Sequence, residues 1–147
     1  MACSSRAKRR RTEAVHALLY RLAKEHDAEL ELVDDVKDRS WNAVTHPPNR
    51  IKIAKQPPRK LCIMVCSMIH ELSHVHCHRN SLWSAYHVHG DEDQAWRAER
   101  WVARHAERRY KQLGLEKRFG KYYDPYIHNP DKDKIKRLLH TPDIGEP

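Results

Sequence analysis

Residues 60–74 read Lys60-Leu-Cys-Ile-Met-Val-Cys-Ser-Met-Ile-His70-Glu71-Leu-Ser-His74, an apolar run that ends in a His-Glu-x-x-His motif. Every residue from 61 to 69 is apolar except Ser67, and a segment that is apolar all round is typical of a buried helix. Positions i and i+4 share one helix face, so the imidazoles of His70 and His74 can reach a single metal ion. The sequence therefore predicts a buried helix with a metal site near its carboxyl end.

The same motif carries a catalytic base. Glu71 is expected beside the ion, where its carboxylate can take a proton from an activated water molecule. This is the zincin arrangement, and the cofactor it predicts is Zn²⁺. The alternative is a chance match, since the chain has 12 histidines. A polar motif at the end of a buried helix must have its polar groups satisfied, and a bound metal would do so.

The third zinc ligand is expected downstream, because catalytic zinc takes three protein ligands and keeps one open position. Glu92 opens the next long helix, Glu99 lies seven residues later on nearly the same face, and His89 precedes the helix. Each also has an ordinary role, at a helix amino terminus, in a surface ion pair or in a loop, so the choice stays open. A further donor to the oxyanion is expected, with Tyr86, His87, Tyr122 and Tyr123 as unranked candidates.

Composition indicates one basic, non-membrane domain. The chain has 147 residues and a formal net charge of +8, and it contains no apolar run long enough to span a bilayer. No leader is recognised and none of the four cysteines forms a Cys-x-x-Cys pair, which favours a reducing, cytoplasmic location. The organisation predicted is a flexible basic arm at 1–11, a metallopeptidase domain at 12–114 and an aromatic, basic extension at 115–147 packed on the same domain.

Hydrophobic periodicity predicts an α+β fold, and the His-Glu-x-x-His motif implies that it is zincin-like. A small antiparallel sheet is expected to pack on the buried metal-binding helix and on a second, ligand-bearing helix. Strands are predicted at 28–33, 41–44 and 50–54, and helices at 12–26, from about 60 to 78, at 91–110 and at 131–140. The strand around Ile51 and Ile53 is expected at the edge of the cleft, where it could hold an extended peptide by backbone pairing.

The region 28–110 resembles the ImmA/IrrE-like metallopeptidases, which are small gluzincins. The resemblance rests on the His-Glu-x-x-His motif after a strand and on Glu92-Asp-Gln-Ala-Trp96 at the start of the next helix. It implies that Glu92 completes the zinc site, with Glu99 as the alternative register. It also implies cleavage of a protein partner such as a transcriptional regulator or repressor, and a phage-encoded origin in a bacterial cytosol. Ser73 stands where the family usually has glycine.

A second resemblance is to the SprT-like proteases, in which a His-Gly pair supplies the third ligand. Here that pair is His89-Gly90, and the resemblance implies a protease associated with DNA. The basic residues Arg9, Arg10 and Arg11 would then contact phosphates. A third alternative is a non-catalytic domain that zinc only stabilises. The oligomeric state is not predicted by any of these patterns.

Overall fold

The computed structural model describes residues 2–34, 43–46, 48–55, 61–79 and 92–123, with the backbone alone described for 2–4, 78 and 92–100. The short helix predicted at 131–140 lies outside these ranges. The described elements follow one another as helix, three strands and three helices. They are α1 (Ala2–Glu25), β1 (Glu29–Val33), β2 (Ala43–His46), β3 (Arg50–Ala54), α2 (Leu61–Arg79), α3 (Glu92–Gln112) and α4 (Leu115–Phe119).

Helix α2 lies at the centre of the packing, as its apolar run predicts. It contacts α1, α3, β2 and β3, and its residues 63–75 are all buried. The hydrophobic core that surrounds it includes Leu19 of α1, Ile53 of β3 and Ala106 of α3. Because its neighbours cover it on several sides, α2 needs no polar face, which explains why its sequence lacks helical amphipathicity.

The sheet is mixed, and the prediction of an antiparallel sheet was wrong in this respect. The strand order is β1-β3-β2, with β1 parallel to β3 and β2 antiparallel to β3. β3 lies between the two other strands, and it runs in the direction of β1 and against β2. β3 is therefore the central strand, and the edge strand that contacts α2 is β2. The strand around Ile51 and Ile53, expected at an edge, is therefore the middle strand of the described sheet.

One face of the sheet packs on the helices. Ala43 and Thr45 of β2 and Ile51 and Ile53 of β3 are buried, while the alternate residues are more exposed. This is the two-residue alternation expected of a strand with one covered face. It places the Thr45 side chain on the side of the sheet that faces α2.

Helix α1 extends further than the sequence pattern predicted. It begins at Ala2 rather than near Thr12, so the segment expected as an arm forms the first turns of the helix. At its other end Asp27 takes a left-handed conformation (φ 57°), and the Ala28 amide donates to the Ala23 carbonyl at 2.8 Å. This pattern is a Schellman-type helix ending.

Helices α1 and α2 run in the same direction. His16 near the middle of α1 hydrogen-bonds the carbonyl of Lys55, which lies before α2, at 2.9 Å. The guanidinium of Arg79, the last residue of α2, donates to the carbonyls of His26 and Asp27 at 2.7 and 2.8 Å. The carboxyl ends of both helices therefore lie together, with a cation at the negative end of the α1 dipole.

Helix α3 lies antiparallel to α2. Near its carboxyl end the Tyr110 hydroxyl lies beside the Cys66 thiol, and burial together with that thiol raises the pKa of Tyr110. One turn earlier, His105 contacts Ser73. Gly114 (φ 72°) ends the helix, as the sequence predicted. No helix within the described ranges is both long and apolar enough to cross a membrane.

Candidate metal centre

The two histidines of the motif lie side by side in the core. His70 is 1% exposed and His74 is 2% exposed, and their ring centroids are 5.0 Å apart with the ring planes at 64°. Two imidazoles on one tetrahedral zinc ion would have centroids about 5 Å apart, given a Zn–N bond of about 2.0–2.1 Å. The pair therefore fits two of the ligand positions of a zinc ion.

Glu71 is buried next to this pair, and a residue of the sheet holds its side chain. It is 6% exposed, and the Thr45 hydroxyl lies within hydrogen-bond reach of both its carboxylate Oε2 and its main-chain carbonyl. A hydroxyl has one hydrogen, and the shorter contact is the one to Oε2, so Thr45 donates to the carboxylate. Thr45 thus limits the rotation of Glu71.

Ser73, one residue before His74, joins α2 to α3. Its hydroxyl donates to the Ile69 carbonyl at 3.0 Å, and the same oxygen lies 3.0 Å from His105 Nδ1. Since the Ser73 hydrogen is used within α2, the proton of the second bond comes from His105 Nδ1. This Ser73–His105 hydrogen bond lies beside the metal motif and sets how α3 crosses it.

The His105 ring is also stacked between two other rings. The His76 centroid lies 4.9 Å from it at 14°, and the Trp101 centroid lies 5.2 Å from it at 15°. Burial, with smaller effects of His76, Arg108 and Arg109, lowers the pKa of His105 from 6.5 to about 4. His105 is therefore neutral at pH 7, and it lies between α2 and α3 with a hydrogen bond to Ser73.

The sequence candidates for the third ligand lie in or before α3. Glu92 and Glu99 are on the helix whose backbone is described, while His89 lies outside the described residues, as do Tyr86 and His87. In the part of the chain with described side chains, no three His, Cys, Asp or Glu residues are grouped closely enough to share an ion. The described side chains thus contribute His70 and His74.

The aromatic residues after α4 lie away from the motif. The Tyr123 amide donates to Cys66 Sγ at 3.4 Å, and the Tyr122 ring packs edge-on against Tyr110 at 5.5 Å. Cys66 precedes His70 by one helical turn, so these side chains pack on the core at the amino-terminal side of the metal motif. The arginines Arg9, Arg10 and Arg11 are exposed on α1.

Two residues of the site were not recognised from the sequence. Thr45 precedes Glu71 by 26 positions and His105 follows Ser73 by 32, and no local motif links such distant residues. One signal was present for Ser73, which stands where a glycine is usual in the resembling family. A hydroxyl in the middle of a buried helix needs partners, and here it donates to the Ile69 carbonyl and accepts from His105.

Comparison with known proteins adds no family assignment. No protein-family model matches the chain, and neither a curated protein nor a solved structure matches it.

Proposed function

We propose that the protein is a zinc-dependent endopeptidase that cuts a peptide bond in a protein partner. The observation that supports this most is the buried group formed by His70, Glu71 and His74. Two imidazoles have the separation that one zinc ion requires, and the acid between them is held by Thr45. A purely structural site would have no use for an oriented carboxylate beside the ligands.

Each residue of the site would have its own role in hydrolysis. His70 and His74 hold the ion, which supplies Lewis-acid chemistry when it is bound. Glu71 accepts the proton of the attacking water and later delivers it to the leaving amine. Thr45 holds one carboxylate oxygen, so the other is directed to the proton that moves. The surrounding core keeps bulk water from the carboxylate.

For the third ligand we favour Glu99 over Glu92. Glu99 lies three residues before Val102 and seven before Ala106, both fully buried, so the helical period places it on the stripe of α3 that packs on the core. The Ser73–His105 hydrogen bond pairs the two helices one residue before His74.

The distances along α3 support this preference. From His105, Glu99 is six residues away and Glu92 is thirteen, which is about 9 Å and about 20 Å along the helix axis. Since α3 runs antiparallel to α2, these positions lie progressively beyond His74. Along a straight α3, Glu99 is therefore the nearer of the two to the motif, and Glu92 lies two turns further away.

The substrate would lie along β2. This strand is the edge of the described sheet that contacts α2, and its Thr45 reaches the base. An extended peptide that adds to this edge would place its carbonyl groups next to Glu71. The preferred substrate would therefore be an extended segment of the partner rather than a folded surface.

Zinc content tests the metal site. Elemental analysis of the wild-type protein, purified with zinc present, should give about one zinc per chain. Glu99→Gln should lose most of it, while the matched variants Glu92→Gln and His89→Ala should keep it. Loss only in Glu92→Gln or only in His89→Ala would reassign the ligand, and absence of zinc from the wild type would contradict the whole proposal.

Hydrolysis is tested separately with Glu71→Gln. Wild-type protein and this variant would each be incubated with a bacterial lysate, and new peptide amino termini would be measured by mass spectrometry. We expect termini that the wild type produces and the variant does not, while the variant keeps its zinc. If the two proteins gave the same termini, Glu71 would not be the base. Loss of zinc in the variant would make it structural.

A further inference from the structure

The first turns of α1 extend beyond the hydrophobic core. Residues 5–11 are all exposed, and Val15 is the first buried side chain among those described from residue 5 onward. Helix α1 begins at Ala2, so about 13 residues, or about 20 Å of helix, precede the point where packing begins. This projecting segment (residues 2–14) therefore has most of its surface available to a partner.

The charge of this segment is strongly basic and surrounds the helix, and its one acidic residue, Glu13, lies at the inner end, next to the point where packing begins. Residues 1–12 contain five basic residues and no acidic residue. At about 100° per residue the five side chains are spread around the axis with no gap wider than about 100°. They are Arg6, Lys8, Arg9, Arg10 and Arg11.

The distribution of positive charge around the helix determines which kind of anionic partner fits it. A helix that binds a membrane surface needs an apolar face opposite its basic one, and this segment has no such face. A flat acidic protein surface would contact one side of the helix and leave the other charges unpaired. Like charges three and four residues apart, such as Arg6 with Arg9 and Arg10, also repel within the helix. The partner that fits has negative charge on both sides of the helix.

We propose that the projecting segment of α1 binds in the major groove of double-stranded DNA. A helix of about 10–12 Å diameter fits a groove about 12 Å wide, and phosphates line both walls. Arginines on opposite sides of the helix would then contact both strands. Double-stranded RNA would not substitute, because its major groove is too narrow and deep for a helix.

The segment lies far from the candidate metal centre. α1 and α2 run in the same direction, so the segment projects from the end of the domain where α2 begins. His74 lies 13 residues from Leu61, the first residue of α2, which is about 20 Å along the axis. Bound DNA would leave the metal site open to a protein substrate. The inference goes beyond the proposed peptidase activity and does not depend on it.

The experiment measures the affinity of the full chain for a fluorescein-labelled DNA duplex of about two helical turns, by anisotropy at several salt concentrations. The test variant replaces Arg9, Arg10 and Arg11 with glutamine. We expect at least a tenfold loss of affinity at low salt. The slope of log K against log salt should become shallower by about 2.7, since each phosphate contact contributes about 0.9.

The matched control removes three positive charges elsewhere, with the exposed residues Lys24, Lys117 and Lys121 replaced by glutamine. It should bind the duplex as the wild type does. An equal loss in both triple variants would mean that net charge alone attracts DNA, which would overturn the proposal. Tighter binding to phosphatidylserine vesicles, to an RNA duplex or to a single strand of the same length would also overturn it. Both variants change exposed residues only, so folding should be retained and can be checked by circular dichroism.

Discussion

Thr45 is the residue on which the catalytic proposal makes its sharpest prediction. Thr45→Val keeps the shape of the side chain and removes the hydroxyl that donates to the Glu71 carboxylate from the sheet. We expect the hydrolysis rate to fall about tenfold to hundredfold, since groups that orient a metal site have effects of that size. Zinc content should not change, because Thr45 is not one of the proposed ligands.

The control for this prediction is Thr45→Ser, which keeps the hydroxyl and should keep most of the activity. Thermal unfolding of both variants would show whether the fold is intact. An active Thr45→Val protein would mean that Glu71 needs no support from β2. Loss of zinc together with activity would mean that Thr45 supports the metal pair and not the base.

At the scale of elements, the contact between Ser73 and His105 determines how α2 and α3 pack together. Removing one neutral hydrogen bond in a protein interior lowers the free energy of unfolding by about 1 kcal/mol. We expect Ser73→Ala, His105→Gln and the double variant to show a coupling energy of about 1 kcal/mol in urea unfolding. A coupling near zero would mean that the stacking of His105 on Trp101 and His76 sets the packing instead.

Sequence periodicity predicted the three strands and helices α2 and α3, but it missed α4 and the arrangement of the elements. The bounds of β3 and the identity of α2 follow from local patterns that the structure confirms. The direction of β1 relative to β3 does not, because alternation of apolar residues is the same in parallel and antiparallel strands. The extension of α1 was missed because residues 5–14 carry no apolar stripe.

The residues of the candidate site also fall into two groups, those that a local pattern predicts and those that depend on tertiary contacts. His70, Glu71 and His74 were predicted because all three lie within five residues of one helix. Thr45 and His105 depend on tertiary contacts between elements that are distant along the chain, so no local pattern could indicate them. The identity of the third ligand also depends on tertiary contacts. Helical periodicity puts Glu92 and Glu99 on one face, and only the crossing of α3 over α2 separates them.

For the whole molecule, His105 predicts how stability depends on pH. Its pKa is about 4 in the folded protein against 6.5 ordinarily, mainly because it is buried. Below pH 6.5 the unfolded chain takes up this proton before the folded one, so the free energy of unfolding should fall as the pH is lowered from 6.5 towards 4. Above pH 6.5 this contribution is constant.

The comparison that isolates this effect is wild type against His105→Gln, with urea unfolding measured at several pH values from 4 to 8. The stability advantage of the wild type should shrink as the pH falls through this window. Groups that do not contact His105 contribute equally in both proteins, so their effects cancel in the difference. Parallel curves for the two proteins would contradict the lowered pKa.

The burial of His70 and His74 in the central helix has a consequence for how much folded protein a cell contains. If the same side chains complete the core and hold the ion, metal uptake and folding are one coupled equilibrium. Free zinc at a thousand times the dissociation constant would add about 4 kcal/mol to the stability, a large part of what a domain of this size has. Zinc starvation would then reduce the abundance of the protein through proteolysis of unfolded chains, so metal supply would govern its lifetime as well as its chemistry.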